Sequence, residues 1–282
     1  MDLVAKLDAG GGRTGRSRML PLSAEKNATS AGELSAALTR GLLARGITAR
    51  SVEAKGDAFP TLTALTIDLT DAQLTRDLRP PATTGDAVSN VEIDRFELTA
   101  IPLYFEKTPL ELRVSAEKAK SHCVGKPDDG ALVLDSAGAG TVSVKVAKAA
   151  LEALVQSLAS AAAAKQGLEV SKTTLSLTQE GPRAVSFRAD VTAKIFVMTA
   201  TLSLSGRIEI DDELNARFVG LALGGDAMVT KLAGGFLRPH LDRLEGRVFP
   251  LLSFSLGGLT VQDVEFLVGP EIEVRARLGT TV

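Results

Sequence analysis

Residues 143–166 read SVKVAKAALEALVQSLASAAAAKQ. Val144, Ala147, Leu151, Leu154, Val155 and Leu158 recur there at spacings of three and four, which places them on one face of a helix. Ser143 offers an N-cap oxygen and Gly167 a C-terminal stop. Ala161 to Ala164 prolong the helix with the residue that enters it at least cost. About 23 residues at about 1.5 Å each predict a rod of roughly 35 Å. Working outward, both flanks read mostly as short alternating strands. The expected fold is therefore α+β: a strongly curved antiparallel sheet wrapped around a long central helix, with further helices near the N-terminus and in the C-terminal half.

Upstream, Glu33 to Arg45 is amphipathic, with Leu34, Ala37, Leu38, Gly41 and Leu42 on one face. Ser30 and Glu33 have the capping-box spacing and Gly46 follows as a stop. Leu65, Ile67 and Leu69 alternate with polar residues, as a strand with one buried face does. Phe59-Pro60 predicts a bend, and Leu78 to Asp86 a loop. Between Val91–Ile93 and Phe96–Ala100 the apolar residues change parity, which predicts a bulge.

Downstream, Val185 to Val197 keeps its apolar residues on odd positions. Met198 to Ile210 keeps them on even ones, so a bulge, a bend or a hairpin falls near 195–198. A second switch lies between Leu214–Phe218 and Val219–Leu223. Ala227 to Phe249 has a helical pattern that Pro239 should kink or divide. The chain closes in strands; Ile272, Val274, Ala276 and Leu278 alternate with Glu273, Arg275 and Arg277.

The 282 residues suffice for a sizeable core. The expected division is a flexible segment over 1–30, rich in Gly, Arg and Ser, and a single domain over 31–282. With 32 basic and 34 acidic side chains the charge is nearly balanced, which gives no footprint for nucleic acid. Aromatic residues make up only 4%, so Ala, Leu, Val and Thr carry the core. The single cysteine, Cys123, excludes an intramolecular disulfide. No apolar run has the length of a signal peptide or a transmembrane helix, and the expected location is cytoplasmic or organellar.

Catalytic chemistry is sparse. His122 and His240 lack the spacing of a metal site. His122-Cys123 reads as a surface loop pair and His240 as a solvated residue. Ala137-Gly138-Ala139-Gly140 lacks the third glycine of a dinucleotide loop. Asp211-Asp212-Glu213 reads as a solvated acidic turn with too few ligands for calcium. Asp68, Asp71, Asp94 and Glu97 have no histidine or cysteine near them in sequence. The expectation is a protein that is not an enzyme and needs neither metal nor cofactor.

The segments TLTALTIDLTDAQL (61–74), NVEIDRFELTAIPL (90–103) and LLSFSLGGLTVQDVEFLVGPEIEVRARL (251–278), with the Gly140-led run into the central helix, carry a resemblance. In apolar spacing over roughly 33–278, the chain resembles the LmeA-like phospholipid-binding family, within the tubular lipid-binding (TULIP, BPI-like) superfamily. That resemblance implies a noncatalytic protein that binds or transfers a phospholipid or other acyl-chain lipid in an elongated apolar groove. It also implies transient contact with a membrane surface. The residues expected to line the groove are Leu151, Leu154, Val155 and Leu158 on the helix, with Phe196, Met198 and Leu202 opposite. The alternative is a structural or protein-interaction module in which the same residues fill a closed core.

Overall fold

The computed structural model describes residues 20–22, 28–74, 87–105, 107–124, 130–164, 169–195, 198–253 and 259–280. In its first half the elements are β1 (Leu20–Leu22), α1 (Ala31–Ala44), β2 (Ser51–Lys55), β3 (Thr61–Leu62), β4 (Ala64–Asp68), β5 (Gln73–Leu74), β6 (Ala87–Phe105), β7 (Thr108–Val124), β8 (Gly130–Ser136) and β9 (Ala139–Ala147). There follow α2 (Lys148–Ala164), β10 (Glu169–Gly181), β11 (Ala184–Ile195), β12 (Met198–Ile210), β13 (Asn215–Gly225), α3 (Ala227–Leu244), β14 (Val248–Pro250), β15 (Leu259–Val268) and β16 (Glu271–Thr280). The strands form two sheets. The larger runs β15-β16-β9-β7-β6-β4-β2 with β1, β3, β5 and β8 beside this path; the smaller is β10-β11-β12-β13-β14. The fold is α+β and mostly antiparallel, and neither sheet closes into a barrel.

The chain falls into two compact units. The first holds the described residues up to Lys145, with 252–263 and 274–280; the second holds Val146–Leu251 and Val264–Glu273. Within the segment expected to be flexible, Leu20–Leu22 is a strand paired with β8. Residues 1–19 and 23–27 lie outside the described residues, as do Leu78 to Asp86.

In the first unit, α1 begins and ends where its capping residues dictate. The Ser30 hydroxyl accepts the Glu33 N–H at 3.2 Å. The Glu33 carboxylate turns to the N–H and hydroxyl of Thr29, at 2.7 and 2.8 Å, one residue before the expected partner. Gly46 (φ 74°) takes the left-handed turn that an L side chain resists. Its N–H reaches the Leu43 carbonyl while the Ile47 N–H reaches that of Leu42, a Schellman closure. Leu34, Leu38, Leu62, Leu65 and Ile67 reach 0% exposure, so this core is sealed. Two segments quoted for their apolar spacing lie side by side: Thr61 faces Glu92, Leu65 faces Phe96 and Gln73 faces Tyr104, in parallel and one unbroken register.

The parity switch in β6 has its cause in the partner strand. Pairing of β6 with β7 keeps one register from Val91 to Ala100, with no residue inserted. Lys118, however, takes φ 50°. Buried residues change parity at the same level on both strands, Ile93 to Phe96 and Ala119 to Ala116. There too β7 exchanges its other neighbour, from β9 (through Glu117) to β8 (from Lys120). One left-handed residue thus turns the strand over between two partners. A β-branched side chain fits that conformation worst. Lys118→Val is expected to cost about 1–2 kcal/mol, and Lys118→Gly to leave stability unchanged or raised, by chemical denaturation.

In the second unit the central helix is shorter than expected. It has 17 residues, about 26 Å, and Ser143 does not cap it. Residues 139–147 are β9, with Ser143 opposite Arg113 and Val144 opposite Leu112. Val142, Val144 and Val146 alternate with Ser143 and Lys145, a period of two in β-branched residues, and that preference prevails over the helical spacing. Gly167 lies outside the described residues. The 195–198 switch is a hairpin, Ile195 opposite Met198. The second switch is a bulge: Ser205 faces Ala222 and Arg207 faces Val219, with Gly220 at φ 66°. Pro239 does not divide α3. The bond it forfeits would fall on the carbonyl of Gly235, an exposed residue that water reaches.

The terminal strand departs from its clean alternation: Glu273 is buried and Val274 is exposed. The tip of the β15–β16 hairpin belongs to the second unit and is tied there by backbone groups. The Phe266 N–H donates to the Pro182 carbonyl at 2.7 Å and the Lys148 N–H to that of Pro270 at 3.1 Å. The Gln179 side-chain amide donates to the Phe266 carbonyl and accepts the Val268 N–H, at 2.9 and 3.1 Å.

Candidate functional site

The five-stranded sheet of the second unit has two unlike faces. Directly opposed residues share a face, so the register assigns them. One face carries Leu175, Leu177, Val185, Phe187, Ala189, Val191, Leu202, Leu204, Ile208, Phe218 and Leu223 in facing rows. The other carries Thr174, Ser176, Arg188, Asp190, Thr192, Thr201, Ser203 and Ser205. On this polar face the Arg188 guanidinium, and after it the Ser203 hydroxyl, hold the Asp190 carboxyl below its ordinary range.

The apolar face is graded. At one end Phe187, Phe218 and Phe249 meet edge to face, with centroids 6.5 and 6.0 Å apart. At the other, Ala193, Ala200 and Gly225 leave little side-chain bulk. Between them Val191, Leu202 and Leu204 are only partly buried. Among the described residues, the best-buried apolar side chains of this unit retain 5–9% exposure, from Val185 to Ala200, in contrast to the sealed core of the first unit.

Helix α2 packs on the outer strand β10 and helix α3 on β13 and β12, and a carboxylate in or just after each helix caps outward backbone groups. Helix α2 lies against β10, and the Glu152 carboxylate accepts the Leu175 N–H at 3.0 Å. Helix α3 lies against β13, and Glu245, just past its end, accepts the Gly220 and Leu221 N–H groups, each at 2.8 Å. In the first unit Ser35 on α1 does the same for Ala54 of β2, at 2.8 Å. An outer strand left bare would present these donors to any passing chain.

Of the residues expected to line a groove, Leu151, Leu154 and Val155 are partly buried on α2, and Leu158 is 42% exposed. Leu202 lies two strands in from β10, on the apolar face opposite Val191. Phe196 and the side chain of Met198 lie outside the described residues. The register adds Phe187, Val191, Leu204 and Leu223 to this surface; their signal was the period of two in 185–210 and, for Leu223, in 219–223. Thr173 also joins it, opposite Val191. Nothing local in sequence marks Glu152 or Glu245, because their partners are 23 and 25 residues away.

The sites weighed for chemistry stay apart. His122 and Cys123 are on β7, not in a loop, and the His122 Nδ1 is 2.7 Å from an Asp135 oxygen. Asp211 closes the β12–β13 turn, with its carboxyl held low first by the Asn215 N–H. Asp68 accepts the Thr70 N–H at 2.8 Å, and its carboxyl is lowered chiefly by Thr70. Among the described residues no group of three or more His, Cys, Asp and Glu is placed to hold a metal ion. No described helix is long and apolar enough to cross a membrane. Compared with protein-family models, curated proteins and solved structures, the chain matches none.

Proposed function

We propose that the second unit binds the acyl chain of a lipid along the apolar face of its five-stranded sheet, without catalysis. The observation that carries this reading is the contrast between the two units. Leu38 and Leu65 in the first are wholly removed from water, whereas Leu202, Leu204 and Phe187 in the second are not. Apolar surface left in this state is stabilised by a ligand that covers it. Each methylene transferred contributes about 0.8 kcal/mol, so ten contribute about 8 before the entropy of association is subtracted. The tubular lipid-binding arrangement, a curved sheet around a helix, is part of the proposal. It is supported by a helix of aliphatic and small residues laid against an antiparallel sheet with one apolar face.

A second reading suits the first unit, whose sealed core fits a structural or protein-interaction module. The two readings differ in a direct measurement. Native mass spectrometry of the purified full chain, with organic extraction, is expected to reveal a co-purifying acyl lipid. The delipidated protein is expected to take up a pyrene-labelled acyl chain. Absence of both would leave only the module.

A further inference from the structure

We infer that the lipid held on this face is a neutral acyl ester, with the Thr173 hydroxyl donating to its carbonyl oxygen. The inference rests on the acyl-binding reading above and names the class of ligand. Thr173 is 9% exposed and stands among apolar residues, opposite Val191 and two residues from Leu175. Its Oγ1 is buried with no hydrogen-bond partner. A hydroxyl withdrawn from water in this way costs stability until an acceptor reaches it. Thr230 on α3 repeats the condition, its Oγ1 also buried and unpartnered.

The two hydroxyls belong to the same end of the sheet. Thr173, Val191, Leu202 and Gly225 form one row across it. Helix α3 starts beside that row: the Thr201 N–H donates to the Asp226 carboxylate at 2.7 Å, and the Asp226 N–H to the Thr201 carbonyl at 2.9 Å. Thr230 is one turn further on, its N–H bonded to the Asp226 carbonyl at 2.8 Å. The small residues Ala193 and Ala200, 7% and 9% exposed, face each other at this same end. The aromatic cluster at the far end suits the hydrocarbon tail.

Charge decides the class. The row that includes Thr173 holds no ionisable side chain on its own face; Asp190 and Lys194 fall on the other face by register. Among the described residues this row offers no cation, so a carboxylate or phosphate drawn in here would lose its water without a partner in it, which is strongly unfavourable. An ester carbonyl accepts a hydrogen bond and carries no charge to bury.

The test uses the full chain with methyl hexadecanoate, hexadecane and sodium hexadecanoate, each delivered from cyclodextrin and scored by displacement of a pyrene-acyl probe. The expected result is that the ester binds more tightly than either other probe. Thr173→Val should weaken ester binding about 3- to 10-fold and leave hexadecane within about twofold. Thr173→Ser, which keeps the hydroxyl, should restore the ester preference. Without ligand, Thr173→Val should melt at a higher temperature, because an unpartnered hydroxyl is gone. Binding of ester and hexadecane with no change in Thr173→Val overturns this inference and spares acyl binding. Tighter binding of hexadecanoate than of ester overturns the choice of a neutral ligand. Failure of the wild-type chain to bind any probe removes the acyl-binding reading and this inference with it.

Discussion

Leu38→Ala is expected to destabilise the first unit by about 3 kcal/mol, and Leu204→Ala the second by only about 1 kcal/mol. Both remove the same three carbons. They differ in what surrounds them. Leu38 is at 0% exposure on the inner face of α1, so truncation leaves a void that its neighbours fill incompletely. Leu204 keeps contact with solvent in the centre of its sheet, so part of its transfer free energy was never gained. Hydrogen exchange read separately on β4 and β11 would follow each unit in its own right. Equal losses in the two units would mean that the second core is as tightly filled as the first, and the case for an acyl ligand would lose its physical ground.

Leu202→Glu is expected to reduce acyl-chain binding at least 100-fold while the second unit stays folded. In the free protein the new carboxylate can reach water, since Leu202 is only partly buried. A hydrocarbon laid over it would strip that water away and leave a buried charge, a cost of several kcal/mol. Uptake of a labelled acyl chain and exchange protection of β11 and β12 measure the two halves of the expectation. Loss of protection along with uptake would show that residue 202 supports packing and not a ligand. At the opposite extreme, normal uptake would place the ligand elsewhere.

The strands were legible in the sequence wherever neighbours enforced one face. Leu65, Ile67 and Leu69 were read as buried alternates and are so. Helix α1 was legible because its signals are local: Ser30, Glu33 and Gly46 all act within five residues of an end. The start of α2 was misread for the converse reason. Val144 satisfies a spacing of three to Ala147 and also a spacing of two to Val142 and Val146, and only pairing with Leu112 decides between them. The switch near 195 was visible as a change of parity, yet its nature as a hairpin followed from the register of β11 on β12. For the β6 switch the cause lay on another strand, at Lys118, where a sequence scan has nothing to detect. Of the candidate site, the aliphatic residues were legible as a class. Thr173 was not, because a threonine in a strand gives no hint that its hydroxyl ends up in a dry place.

The capping of unpaired strand N–H groups by side chains in or next to helices also has a direction in time. Ser35 precedes Ala54, and Glu152 precedes Leu175, so during synthesis those two caps leave the ribosome ahead of the strands they will cover. Glu245 comes 25 residues after Gly220. At translation speeds of about 5–20 residues per second, β13 therefore waits roughly one to five seconds for its cover. In a crowded polysome that interval makes β13, among these three strands, the one most open to capture by a neighbouring nascent chain.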